Sequence, residues 1–372
     1  MSVLPDDASM SPAAHDEPAH RAWALFQALD VLTFRDGRPF STGMTSTART
    51  TMPRPTSTGG ALNRVFGGRP QEIAGPLLVS LLSPSTVLSP APLDLVVENQ
   101  TWRRLHPDAA DSAGVVSDLS ERDGLEDFQL LGGGGEPSPR LLDTASMTAY
   151  LDGRPEVALD VLTSTVGQEP LVRERRLGLA RHPRSVSGVG RTAVPGFLYL
   201  AEFWRPAVRY EEHLWFGCRV WFDDDRVPAA AAGVVPLGGE GRQSRVVVVA
   251  ETDATAPRLP ARPTDYPDGR LLLYLATPSV FPDGWLPPAA PGLTVTAACV
   301  PGPQPITGWS PADQAARPLR WAVDAGSVYF LTFDDPAAAQ RFAERYHGRC
   351  LPQAERWMQT VGFGMCLVGR WP

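Results

Sequence analysis

The sequence predicts an α+β fold of two antiparallel sheets, each backed by short helices, with a ferredoxin-like βαββαβ unit in each half. Three observations support it. Short runs rich in aromatic and β-branched residues outnumber helical patterns, the helical stretches fall between them, and 38 prolines with 34 glycines in 372 residues punctuate the connections. With 43% apolar and 20% charged residues, the chain can bury a sizeable core.

Taken in order, residues 1–20 are polar, acidic and proline-containing, and read as a disordered extension that lacks the basic start and apolar centre of a signal peptide. Ala22–Leu29 reads as a buried strand that runs into the loop LTFRDGRPF (32–40). Gly59–Phe66 reads as a short helix capped by Ser57 or Thr58. Leu77–Leu82 and Thr86–Leu88 read as strands broken by prolines, and 108–160 as an acidic insertion with flexible parts around Gly132–Gly135. From Gly196 strands dominate. Phe197–Phe203 and Leu214–Phe222 are expected to pair through a hairpin at Pro206–His213. Val246–Ala250, Leu271–Ala276, Leu293–Val300 and Val328–Phe333 follow. Asp335-Pro336 should open a helix burying Phe342, Ala343 and Tyr346, and Val361–Arg370 closes the chain as a strand. The expected division is 1–20, a first domain 21–205 with its insertion at about 107–160, and a second domain 206–372.

Charge is uneven. The whole chain carries −7, yet residues 35–71 hold six arginines against Asp36, and 173–191 hold six against Glu174. A ligand responds to that local field. There is no lysine, which excludes a Walker-type phosphate loop, Schiff-base chemistry and a kinase strand lysine. Cys218, Cys299, Cys350 and Cys366 show no paired spacing and are expected as free thiols in a reducing compartment. No apolar run reaches bilayer length, so a soluble, cytoplasmic protein is expected.

No HExxH, GxSxG or Cys/His zinc spacing occurs, and neither a metal nor a cofactor is expected. Glu211-Glu212-His213 and Asp223-Asp224-Asp225 read as solvated turns. The glycine and arginine loops differ. Arg35 and Arg38 flank the Asp36-Gly37 turn, and guanidinium forks match phosphates and base edges. In GGEGR (238–242), Gly239 and Gly241 let backbone amides face an anion, with Arg242 and Arg245 on the rim; a plain hairpin turn explains the segment equally. Arg181 and Arg184 belong to an arginine-rich stretch that is either a solvated loop or a basic arm. GFGMCLVG (362–369) either holds an anion or permits close strand packing.

In order along the chain, LDVLTFRDGRPF (29–40), PRPTSTGGALNR (53–64), SPAPLDLV (89–96), LGGEGRQSRV (237–246), LYLATPSVFPDGWLP (273–287), PITGWS (305–310), PLRWAVDAGSVYFL (318–331) and the terminal GFGMCLVG resemble one family. It is the RNA-handle-binding RAMP subunit, the third component of the type III-B CRISPR Cmr effector complex. The resemblance spans roughly 25–370. It implies two ferredoxin-like (RRM-like) domains with long insertions, and a non-catalytic grip on the 5′ handle of the guide RNA in antiviral defence. The partners implied are the large polymerase-type subunit and the neighbouring backbone subunits. Arg35, Arg38, Thr58, Gly59, Gly60 and the 239–242 segment inherit the RNA-facing expectation, and Arg64, Arg181, Arg184 and Arg245 join it as flanking cations. The alternative is a metal-independent endoribonuclease of the same superfamily, for which His20 and His213 are the candidate bases.

Overall fold

The computed structural model describes residues 21–28, 32–33, 72–81, 85–108, 125, 128–138, 140–164, 170–181, 193–207, 210, 213–222, 232–236, 243–306, 309–310, 315–316, 318–359 and 362–371. The main strands are β1 (Arg21–Ala28), β2 (Leu32–Thr33), β3 (Glu72–Ser80), β4 (Thr86–Pro90) and β5 (Leu141–Leu142). Then come β6 (Leu171–Arg181), β7 (Ala193–Pro206), β8 (Leu214–Trp221), β9 (Ala232–Pro236) and β10 (Gln243–Ala250). β11 (Arg270–Leu275), β12 (Leu293–Cys299), β13 (Val328–Phe333) and β14 (Cys366–Gly369) complete the set. The helices used below are α1 (Thr144–Leu151), α2 (Pro155–Ser164) and α3 (Pro336–Tyr346).

A seven-stranded sheet runs β5-β4-β3-β8-β1-β10-β9, with antiparallel pairing throughout. A four-stranded sheet runs β12-β13-β11-β14, also antiparallel. The central four strands of the large sheet, β3-β8-β1-β10, repeat the order of the small one: second, third, first, fourth along the chain. This is a mixed α/β architecture of mostly antiparallel sheets with few helices. β6, β7 and β2 form a separate three-stranded sheet. The large sheet takes β1, β3, β4 and β5 from before residue 205 and β8, β9 and β10 from after it, so a cut at 205 divides one sheet.

Period-2 alternation sorts the side chains. On β1, Trp23 and Leu25 face one layer, while Ala22, Ala24 and Phe26 face the other. The first layer is the central core. It joins Leu77, Val79 and Trp221 of the large sheet to Leu272, Tyr274, Phe330 and Leu367 of the small sheet, with Met147, Tyr150 and Leu162 between them. The opposite face of the small sheet packs Leu271, Leu273, Tyr329 and Leu331 against Phe342, Ala343 and Tyr346 of α3.

α3 begins as the local signals require: the Asp335 carboxylate accepts from the Ala337 N–H at 2.9 Å, with Pro336 in the first turn. Two expectations need correction. β7 pairs with β6 and β2, whereas β8 pairs with β1 and β3, so no hairpin through 206–213 joins them. The Ala207 N–H instead bonds the Pro170 carbonyl at the base of the β6–β7 ribbon. In the 107–160 segment, Met147, Tyr150, Leu151 and Ala158 are fully buried, so its helical part belongs to the core. The helix expected at Gly59–Phe66 and the acidic run Asp223–Asp225 lie outside the described residues.

Gly362 and Gly369 decide between the two readings of the terminal glycine run. A Cβ on Gly362, which sits at φ +100°, would overlap the Gly75 carbonyl oxygen. On Gly369 it would lie 2.7 Å from the Leu151 carbonyl oxygen. These glycines admit backbone to backbone at the seam between β14, α1 and the large sheet.

Candidate nucleic-acid interface

Two strand ends that flank arginine and glycine segments of the sequence lie side by side in the large sheet. β1 pairs with β10 so that Ala28 stands opposite Ser244 and Gln27 opposite Arg245. The Ser244 hydroxyl donates to the Gln27 carbonyl at 2.6 Å, tying the two strand ends together. β9 pairs with β10 from Pro236↔Gln243 onward, so segment 237–242 connects adjacent antiparallel strands. The chain that leads to the 35–38 turn and the chain that leads out of 237–242 therefore start from neighbouring strands, about 5 Å apart.

β2 then pairs with β7, Thr33 opposite Phe203 and Leu32 opposite Trp204. This register directs β2 along β7 toward the far end of the β6–β7 ribbon, where Arg181 stands opposite Ala193.

Of the residues singled out from the sequence, Arg245 is fully placed: it is exposed on β10, flanked by Gln27 and by the exposed Val234. The backbone places Arg181 as the last residue of β6. Arg35, Arg38, Thr58, Gly59, Gly60, Arg64, Arg184, Gly239, Gly241 and Arg242 lie outside the described residues, as does His20. His213 sits in the turn before β8, its backbone carbonyl bonded to the Leu81 N–H.

On the face that carries Arg245, alternation next presents Val247 and Val249. With Leu25, Leu81, Trp215 and Ala256 they line a cleft of about 580 Å³, and Arg258 stands at its margin. Sequence reasoning missed this cleft. Its lining converges from β1, from Leu81 and Ser85 between β3 and β4, and from β8, β10 and the 254–258 segment, and no local motif announces it. The arrangement offers Arg245 and Arg258 beside an apolar trough with an aromatic wall, the combination that suits single-stranded nucleic acid.

Among the described residues no three His, Cys, Asp or Glu side chains gather as a metal cluster. Cys218, Cys350 and Cys366 are buried free thiols, and burial pushes the Cys218 thiol up to about 12, which leaves it inert as a nucleophile. No helix among the described residues is long and apolar enough to cross a membrane.

Two solved chains are similar to this one over most of their length. One, from a cryo-EM structure of the type III-B Cmr-beta bound to cognate target RNA, is 15% identical with a TM-score of 0.44 over 92% of this chain and 95% of that one. The other, from the same assembly bound to cognate target RNA and AMPPnP, is 14% identical with a TM-score of 0.42 over 92% and 94%. No curated protein matches the sequence. The family model described as CRISPR-associated protein (Cas_Cmr3) matches residues 25–371, nearly the whole chain, so this chain belongs to the Cas_Cmr3 family of CRISPR-associated proteins.

Proposed function

We propose that this chain is a non-catalytic, guide-RNA-binding subunit of a cytoplasmic type III-B CRISPR effector. In this reading it grips the 5′ handle of the guide and bridges to the large polymerase-type subunit and the neighbouring backbone subunits. The observation that carries the proposal is the pairing of Ala28 with Ser244, which sets the end of the strand that precedes the first arginine segment beside the start of the strand that follows the second. The repeated order of four antiparallel strands supports reading each sheet as a ferredoxin-like unit. Residues 276–292 stand where the smaller unit's first helix would be.

In such an effector base pairing reads the sequence, so the protein needs to hold backbone and shape. Guanidinium groups and bare amides do this without sequence preference, and the cleft beside Arg245 receives an unstacked base.

The test compares wild type with Arg38→Ala/Arg242→Ala for retention of guide RNA on co-purification and for binding of handle RNA across a salt series. The double variant should retain less guide while keeping its circular dichroism. Its log–log salt slope should fall by about 1.4, since each lost phosphate contact on a single strand removes about 0.7. Equal retention would assign the two loops to turns alone.

A further inference from the structure

A second cleft, of about 550 Å³, opens at the other end of the large sheet, where the linker after β10 meets α3. Arg21, the first residue of β1, lines it. Ala28, which leads to the loops discussed above, is roughly 23 Å away along the strand. Arg219, Arg258 and Arg262 also line the cleft, against the carboxylates Glu251 and Glu344.

These charges are not all paired off. Arg219 is buried and committed: its Nη2 meets Glu251 at 2.7 Å and its Nη1 donates to the Gly348 carbonyl at 3.0 Å. Arg21 shares the same Glu251 at 3.3 Å. Arg262 approaches Glu344 at 3.5 Å, a loose pair with both side chains partly exposed. Arg258 is exposed and forms no ion pair among the described residues. His347 adds no charge, because burial pushes its pKa down to about 4. Four guanidinium groups against two carboxylates leave the cleft net positive.

We propose that this cleft receives an acidic peptide segment of a protein partner, with a carboxylate seated among Arg21, Arg258 and Arg262. Two observations favour a peptide over nucleic acid. No Phe, Tyr or Trp is among its lining residues, and the one ring there, His347, is mostly buried with both nitrogens hydrogen-bonded, so it offers no open face for stacking a base. The excess of two positive charges, four arginines against two carboxylates, suits one or two carboxylates docked bidentately between arginines rather than a polyanionic phosphodiester chain. Pro257, Leu259 and Pro260 supply an apolar wall for the residues flanking that carboxylate. The inference is independent of the RNA-binding proposal.

The experiment uses the full chain and two probes, a short capped peptide alternating Glu with Leu and an oligouridylate, titrated calorimetrically at low salt. Arg262→Glu, alone and with Arg21→Ala, should weaken the peptide roughly ten-fold or more, as truncation of charge partners at interfaces does. Oligouridylate binding should not change in Arg262→Glu, since Arg262 lines this cleft and not the one beside Arg245. Arg38→Ala/Arg242→Ala should leave peptide binding intact. Absent peptide binding, or unchanged affinity in Arg262→Glu, overturns the proposal. So does loss of oligouridylate affinity with the peptide unaffected, which would assign the cleft to nucleic acid.

Discussion

His347 shows how one residue couples solvent conditions to the junction between the sheets. Its Nε2 lies 2.8 Å from the Pro260 carbonyl, and its Nδ1 accepts from the Val368 N–H at 3.1 Å, a pattern that requires the neutral ring with the proton on Nε2. Burial lowers its pKa from 6.5 to about 4, aided by the Arg219 and Arg262 charges and opposed by the Pro260 carbonyl. Glu344 also lines that cleft. The folded pKa is depressed, so the unfolded chain binds more protons between about 4 and 6.5, and stability rises with pH across that window. Acidification from pH 6.5 to 4 should cost about 3 kcal/mol through this group alone. His347→Gln, which keeps one donor and one acceptor, should flatten the difference between urea midpoints at pH 5 and pH 7. An unchanged difference would locate the proton uptake elsewhere. The sequence marked this histidine as one of six without a motif. Its partners lie 87 and 21 residues away, and no local spacing reveals such contacts.

At the scale of elements, α1 is anchored by a buried polar cluster. The Tyr150 hydroxyl donates to Asp94 Oδ1 at 2.7 Å, and Arg104 Nε donates to Asp94 Oδ2 at 2.8 Å. The Arg104 guanidinium also stacks 4.8 Å over the Tyr150 ring. The ribbon of residues 95–98 and 101–104 is thereby pinned to the helix. Burial raises the Asp94 pKa, so its carboxylate depends on both donors. Tyr150→Phe should cost about 1–3 kcal/mol, the penalty of an unmet buried acceptor. Arg104→Met should cost more, about 3–5 kcal/mol, because it strands a buried charge. Urea denaturation would show the order, and a cheaper Arg104→Met would mean Asp94 is carried as a neutral acid. Such elements divide by how local their signals are. The α3 start was legible because Asp335, Pro336 and the Phe342/Tyr346 stripe lie within one segment. The partner of β7 was not, because its pairings with β6 and β2, and the Ala207 bond to Pro170, join it to earlier segments of the chain rather than to β8. Segment 107–160 reads as an insertion with flexible parts from its acidic, glycine-containing composition, yet its helices carry Met147 and Tyr150 into the central core. The family resemblance was legible from ordered motifs. The apolar cleft next to Arg245, assembled from five parts of the chain, was not.

The whole molecule folds around a core that both sheets own. Trp23, Leu77, Val79 and Trp221 from the large sheet pack in one cluster with Leu272, Tyr274, Phe330 and Leu367 from the small sheet. Polar ties cross the same seam: Arg219 to the Gly348 carbonyl at 3.0 Å, and the Cys350 N–H to Glu72 at 3.3 Å. Backbone contact at Gly362 and Gly75 leaves no room for a Cβ there. A cut near residue 255 would expose the apolar faces of both sheets at once, at about 25 cal/mol for each Å² of apolar area returned to water. Neither piece should fold alone, although their strand orders are alike. The intact chain should unfold in one cooperative step, with tryptophan fluorescence and far-ultraviolet circular dichroism tracing the same urea midpoint. Gly362→Ala tests the seam directly, because it combines overpacking against backbone with a left-handed φ. Its midpoint should fall by the equivalent of about 2–4 kcal/mol, with both probes still coincident. Two separated transitions in wild type, or a soluble and cooperatively folded fragment ending near 255, would show that each sheet is self-sufficient. The second cleft, lined by Arg219 of the large sheet and Glu344 of α3, would then straddle two modules that move independently.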